Sequence, residues 1–209
     1  MRDKYLIINT GSTSTKITIF TEEGEKILDK NVPHSSEEIA KHREIQDQYG
    51  FRCENLLAAL GESGFSLHEM AAIGARGGAL IPIYEDGTFL VDEYMCQALT
   101  DTPVKHAANL GAQIAKNFAD REGIHAYVVD PDVLDEMLPI ARICGLKGAE
   151  RSAQWHALSS KAVVRKIAGE MGKKHSEITA IVLHIGGGVS VALHVNGRTV
   201  DVNNCMHGD

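Results

Sequence analysis

Three groups of residues in this chain have the types and spacing for work on phosphate. The first is Asn9-Thr10-Gly11-Ser12-Thr13-Ser14-Thr15-Lys16, a compact polar stretch between two apolar runs. Gly11 lets a backbone approach an anion closely, Ser12, Thr13, Ser14 and Thr15 offer hydroxyls and amides, and Lys16 adds a point charge. The Walker spacing is absent, and an ordinary hairpin with a Ser/Thr turn fits this stretch equally well when it is taken alone. The second group is His184-Ile185-Gly186-Gly187-Gly188-Val189-Ser190-Val191, where Gly186, Gly187 and Gly188 would admit phosphates to backbone amides. The third consists of single residues: Arg76 in Gly74-Ala75-Arg76-Gly77-Gly78, Asp130 before Pro131, and His156 in Gln154-Trp155-His156-Ala157-Leu158.

The chemistry of each single residue has a plain structural competitor. Arg76 has the planar fork to grip a carboxylate or a transferring phosphoryl group, and a surface arginine in a Gly-rich loop has the same sequence. Asp130 suits a general base, a magnesium ion held through water, or a turn. His156 and His184 are donors of the kind that stabilises charge on equatorial phosphoryl oxygens. Cys205 and His207 raise a zinc site, but no second pair at ligand spacing accompanies them. His34, His42, His68, His106, His125, His175 and His194 read as surface or structural residues.

These residues need a scaffold, and the hydrophobic pattern supplies one. Leu6 to Ile8 and Ile17 to Phe20 read as antiparallel strands flanking the first turn, and Lys26 to Val32 as a third strand after Glu22-Glu23-Gly24. Ala180 to Ile185 and Val189 to Val195 repeat this pattern, with Asn196-Gly197 as the second turn. Aligning the glycines puts Gly186 on Gly11 and His184 on Asn9, so the chain begins one β-turn-β-turn-β unit twice. Two such hairpins facing each other would hold the phosphates of one nucleotide from both sides. Between them, Ser35 and Glu38 have capping-box spacing for a helix reaching Gly61, with Gly50 as a kink or break. Strands are expected over Met70 to Ala75 and Ile124 to Val129, and a small hairpin is expected over Leu80 to Val91. Helices are expected over Glu93 to Thr100, His106 to Glu122, Asp132 to Leu138 and Ser152 to Met171. The first lobe is placed at residues 1–130, and residues 131–209 as the start of a second, incomplete lobe.

The two glycine turns, the Gly74 to Gly78 loop, Val129-Asp130-Pro131 and the Gln154 to Leu158 segment together resemble butyrate kinase, of the acetate kinase family. The resemblance implies an α/β protein with the actin-like ATPase (ribonuclease H-like) fold, with a mixed sheet and β-hairpin phosphate loops. It implies phosphoryl transfer from ATP, with Mg2+, to butyrate or another short or branched aliphatic carboxylate. On it, Arg76, Asp130 and His156 are the catalytic candidates. Asn9, Gly11, Ser12, Ser14, Lys16, His184, Gly186, Gly187 and Gly188 are the ATP/ADP-binding ones. An ionised carboxylate needs no proton abstraction, so Asp130 is read as a magnesium or positioning residue rather than a base. Ala79, Leu80, Ile81, Pro82 and Ile83 are candidates for an apolar pocket or for core strand. The resemblance stops inside the second lobe, so the 209-residue chain alone is expected to form no acyl phosphate, and homo-oligomers are expected of the complete enzyme.

Composition narrows the partners. A net charge of −7 speaks against non-specific nucleic-acid binding, and no apolar run approaches a membrane span or signal peptide. A mean hydropathy of −0.13 and four widely spaced cysteines fit a cytoplasmic protein with reduced thiols. The alternatives are a non-catalytic nucleotide-binding module of this fold and, less well matched, a sugar kinase, whose alcohol nucleophile needs a base.

Overall fold

The computed structural model describes residues 2–186 and 188–205. The chain divides into two compact units, one formed by Met1–Leu80 and Thr88–Val129, the other by Ile81–Gly87 and Asp130–Asp209.

The first unit is built on a six-stranded mixed sheet of order β3-β2-β1-β4-β6-β5. Its strands are β1 (Lys4–Thr10), β2 (Ser14–Thr21), β3 (Lys26–Pro33), β4 (Met70–Ala75), β5 (Thr88–Leu90) and β6 (His125–Val129). Period-2 alternation fixes the register: Leu6 pairs with Ile19 and Ile8 with Ile17, so four fully buried side chains share one face. Burial of each such side chain contributes about 1.5–3 kcal/mol. Helices α2 (Tyr49–Glu62) and α4 (Asn109–Glu122) cover that face with Cys53, Leu56 and Leu60 and with Leu110, Ile114 and Phe118. Strands β1, β4 and β6 run parallel, which brings the ends of β1 and β4 to the same edge of the sheet. Gly123 closes α4 in the left-handed conformation at φ 63°, as a C-terminal glycine should.

Two expectations for this unit change. The helix after Ser35 is not continuous: α1 (Ser36–Ile39) ends after one turn, and the chain leaves the helix before α2 begins. Ser35 does cap α1 through the Glu38 amide. Beyond it, His42 stacks on Phe51 at 4.8 Å and Asp47 accepts from the Glu44 amide, contacts that accompany a non-helical stretch over residues 40–45 before a single 3-10 turn, Gln46–Gln48, leads into α2. Gly50 lies within the first turn of α2 and kinks nothing. The small hairpin over Leu80 to Val91 does not form either, because β5 pairs with β6 instead. Helix α3 (Glu93–Asp101) follows, capped by Asp92.

In the second unit β7 (Thr179–Ile185), β8 (Val189–Val195) and β9 (Arg198–Val202) form an antiparallel sheet in that order. Helix α5 (Ala157–Glu170) packs on it through Val164 and Ala168, against Ile178, Ala180 and Val182. The other face leaves Ile181, Leu183, Ile185 and Val189 exposed. No helix forms over Asp132 to Leu138, because the backbone there bonds elsewhere. The Asp132 carbonyl accepts from the Trp155 amide, the Asp135 amide donates to Ile83 and the Leu138 amide to Val200. Likewise α5 starts at Ala157 rather than Ser152. The Trp155 indole is buried and donates to the Leu134 carbonyl at 2.7 Å, and the Ala157 amide closes a tight turn on the Trp155 carbonyl, so the approach stays out of the helix.

Candidate functional site

The first hairpin presents its turn at the edge of the first unit's sheet. Gly11 donates to the Ser14 carbonyl at 2.8 Å, and a Cβ at Gly11 would lie 3.2 Å from that oxygen, so the tight turn favours glycine. Asn9, Ser12 and Lys16 are exposed and Ser14 is half-buried. Asn9 pairs in register with Lys16. The Lys16 ammonium lies 2.8 Å from Asp29, which also holds Lys26. These two lysines, Lys16 first, pull the Asp29 carboxyl down to about 2.

Arg76 follows the last residue of β4 and is half-buried. Its amide donates to the Ile8 carbonyl, and Ile8 pairs with Ala75, so the register sets Arg76 beside Asn9 at the same end of the sheet. The glycines after it are packed rather than merely flexible. A Cβ at Gly78 would lie 2.4 Å from Asn109 Oδ1, the oxygen that accepts from the Ala79 amide. The proposed apolar stretch divides: Leu80 packs on the core of the first unit, Ile83 on that of the second, and Ile81 is exposed.

In the second unit, His156 and His184 stack face to face, ring centroids 3.7 Å apart and planes within 5°. His156 Nδ1 is 2.9 Å from Ser190 Oγ, which fixes the ring at the head of α5. A Cβ at Gly188 would approach His156 Cε1 to 3.1 Å, and the Gly186 amide donates to the Gly188 carbonyl. The structure therefore brings His156, His184, Gly186, Gly188 and Ser190 together. Gly187 lies outside the described residues, as does His207 of the zinc alternative. Among the described residues, no three metal-ligating side chains converge.

Asp130 is fully buried and engaged at both oxygens. Oδ1 accepts from the Gly87 amide at 2.9 Å and Oδ2 from Arg165 at 2.7 Å. Its φ of 39° is left-handed, a conformation that costs a non-glycine residue about 1 kcal/mol and is held here by these bonds. Arg165 also reaches Asp86 at 3.2 Å, Asp86 meets Lys161 at 2.9 Å, and Lys161 meets Glu136 at 2.7 Å. The expected magnesium contact of Asp130 does not fit this arrangement, which gives the carboxylate a guanidinium as its counter-ion.

Sequence reasoning passed over Arg52, a fully buried arginine of α2 that donates into the first hairpin turn. It also left His34 among structural residues, and His34 is buried with Nε2 2.9 Å from Thr15 Oγ1. The available signal was position. Arg52 stands on the side of α2 that carries Leu56 and Leu60, where an unpaired charge has no solvent reason to be.

No family model matches the chain. Among solved structures, it is similar to the acetate kinase of Porphyromonas gingivalis, with 20% identity and a TM-score of 0.63 over 98% of this chain and 58% of that one. It is similar to a propionate kinase from Francisella tularensis, with 16% identity and a TM-score of 0.67 over 97% and 57%. The acetate kinase of Entamoeba histolytica matches at 18% and 0.67 over 96% and 56%. The chain thus spans under three-fifths of the length of these structures. Among the described residues, no helix is long and apolar enough to cross a membrane. The mixed α/β chain has the fold of these acetate and propionate kinases.

Proposed function

We propose that this chain carries the phosphate-holding part of an ATP-dependent carboxylate kinase, of the acetate kinase family and of butyrate kinase type. The observation that carries this reading is the repeated hairpin. Each unit contains a three-stranded antiparallel unit, with a glycine at the first turn and polar donors beside it. The residues at both turns fit phosphate oxygens: exposed Ser12 and Lys16 at one, and Gly188 with His156 and His184 at the other.

In the proposed reaction a carboxylate oxygen of a short aliphatic acid attacks the γ-phosphorus of ATP. The bond from that phosphorus to the bridging oxygen breaks, ADP leaves with the electron pair, and an acyl phosphate forms. The acid is already ionised at neutral pH, so no base is required. Arg76 neutralises charge on the transferring group through its fork, and His156 donates to it. Asp130 acts as a positioning residue through Arg165 and Gly87. Magnesium would neutralise phosphate charge in such a transfer. Among the described residues no group of three metal-ligating side chains converges on a site for it, and the roles given above are those of the chain's own residues.

The test is trapping of acyl hydroxamate from ATP, hydroxylamine and a panel of acids, by a protein of the matched length and by the 209-residue chain. Trapping with butyrate, isobutyrate or a near homologue by the longer protein is expected, and none by the shorter one. Phosphorylation of hexoses or glycerol in place of the acids would overturn the reading. ATP binding without hydroxamate in the longer protein would favour the non-catalytic module.

A further inference from the structure

The turn of the first hairpin is held from within by a guanidinium that meets no carboxylate among the described residues. Arg52 is fully buried. Its Nη1 donates to the Gly11 carbonyl at 3.0 Å and to Thr15 Oγ1 at 3.1 Å, and its Nη2 to the Ser12 carbonyl at 3.1 Å. Nε and Nη2 both donate to Gln48 Oε1, at 3.1 and 2.9 Å. Every one of these acceptors is neutral. A buried charge is normally matched by an opposite one, because leaving it alone is costly. Burial pulls the Arg52 guanidinium down to about 10, which still leaves it charged at neutral pH.

Peptide geometry turns this inner contact into an outer one. Peptide groups are planar and, throughout the described chain, trans. A carbonyl aimed inward therefore aims the next residue's amide outward. Arg52 draws in the carbonyls of Gly11 and Ser12, which turns out the amides of Ser12 and Thr13. The His34 amide draws in the Thr13 carbonyl at 2.9 Å. Ser12 and Thr13 are both exposed, and among the described residues no backbone acceptor meets either amide. Successive free amides over a fixed positive charge form an anion-binding nest.

We infer that Arg52 is a positioning residue of the phosphate site, orienting the Ser12 and Thr13 amides and supplying the charge for which a bound phosphate is the counter-ion. The inference rests on the reading of this hairpin as a phosphate loop, and it adds backbone donors and a buried charge to the side chains of Ser12, Ser14 and Lys16.

The test is titration of the 209-residue chain with inorganic tripolyphosphate, read from the Ser12 and Thr13 amide resonances. Gln48→Glu is the informative variant, since it keeps side-chain shape and both Arg52 bonds and adds the missing carboxylate. It is expected to weaken tripolyphosphate binding by about tenfold without lowering the melting temperature. Arg52→Lys, which keeps the charge and loses the fork, should bind more weakly than the native chain and more tightly than Arg52→Met. A purely structural Arg52 would leave affinity unchanged in Gln48→Glu, and that result overturns the inference whether or not Arg52→Met folds. Absence of any shift at Ser12 and Thr13 in the native chain overturns it as well. The kinase reading fails separately: Arg52-dependent binding, with no acyl hydroxamate from a protein of the matched length, would remove the kinase and leave the positioning role.

Discussion

Asp130 and Arg165 form an ion pair of 2.7 Å in which the carboxylate is fully buried and the guanidinium is partly open to water. Removing either partner leaves the other charge without its match. Asp130→Asn and Arg165→Gln are each expected to destabilise the second unit by about 1–3 kcal/mol, discounted from the cost of a fully buried pair for the exposure of Arg165. The double variant should cost less than the sum. The chain's single tryptophan, Trp155, is buried in the same unit and reports its unfolding by fluorescence. Unchanged urea midpoints in both single variants would refute the structural assignment.

Arg76 is expected to act on the reacting group rather than on the fold. In a protein of the matched length, Arg76→Ala should depress turnover by more than about tenfold. Arg76→Lys should restore part of it. Native kinetics in either variant would remove Arg76 from the site.

Lys16 is exposed and shared with Asp29, so its charge is partly spent within the sheet. Asp29→Asn should release it and tighten phosphate binding at low ionic strength. The gain should vanish in about 1 M salt, where screening shortens to about 3 Å. Persistence of the gain at high salt would mean that Asp29 acts through structure instead.

Two buried histidines should make stability fall in mild acid. Burial, reinforced by Arg52, lowers His34 to about 4, and burial, reinforced by Lys161 and Arg165, lowers His194 to about 4. Because the unfolded chain takes up these protons near 6.5, it binds more protons than the folded chain between about 6.5 and 4. The stabilisation is therefore complete above 6.5 and is lost as pH falls toward 4, by an amount on the order of 1–3 kcal/mol for each residue. His34→Gln and His194→Gln should flatten this part of the stability profile, as read by thermal unfolding at stepped pH. A slope that survives both substitutions would assign it to other groups.

Strands were the readily legible part of this fold, because alternation is a local pattern. Leu6, Ile8, Ile17 and Ile19 announce both their strand and their buried face. Helix limits were less legible, since they depend on partners distant in sequence. Residues 132–138 look helical until Ile83, Trp155 and Val200 claim their backbone groups. The same holds for chemistry. Asn9 and Arg76 are 67 positions apart and become neighbours only through the β1–β4 register. Arg52 reads as one more helical charge until its acceptors are known, and every one of them belongs to the turn, the adjoining strand or the preceding helical turn.

The segment Ile81–Gly87 lies between two strands of the first unit yet has its partners in the second. Ile83 bridges Leu134, and Asp86 meets Lys161 and Arg165. The polypeptide consequently changes unit three times, at 80/81, 87/88 and 129/130. A fragment ending at Val129 would carry seven residues stripped of their packing, including a carboxylate deprived of both its cations. Excising the first unit cleanly requires a second operation, replacement of residues 81–87 by a neutral linker joining β4's loop to β5. The complementary fragment starting at Asp130 would in turn expose Lys161 and Leu134 unless a peptide of the 81–87 sequence were supplied in trans.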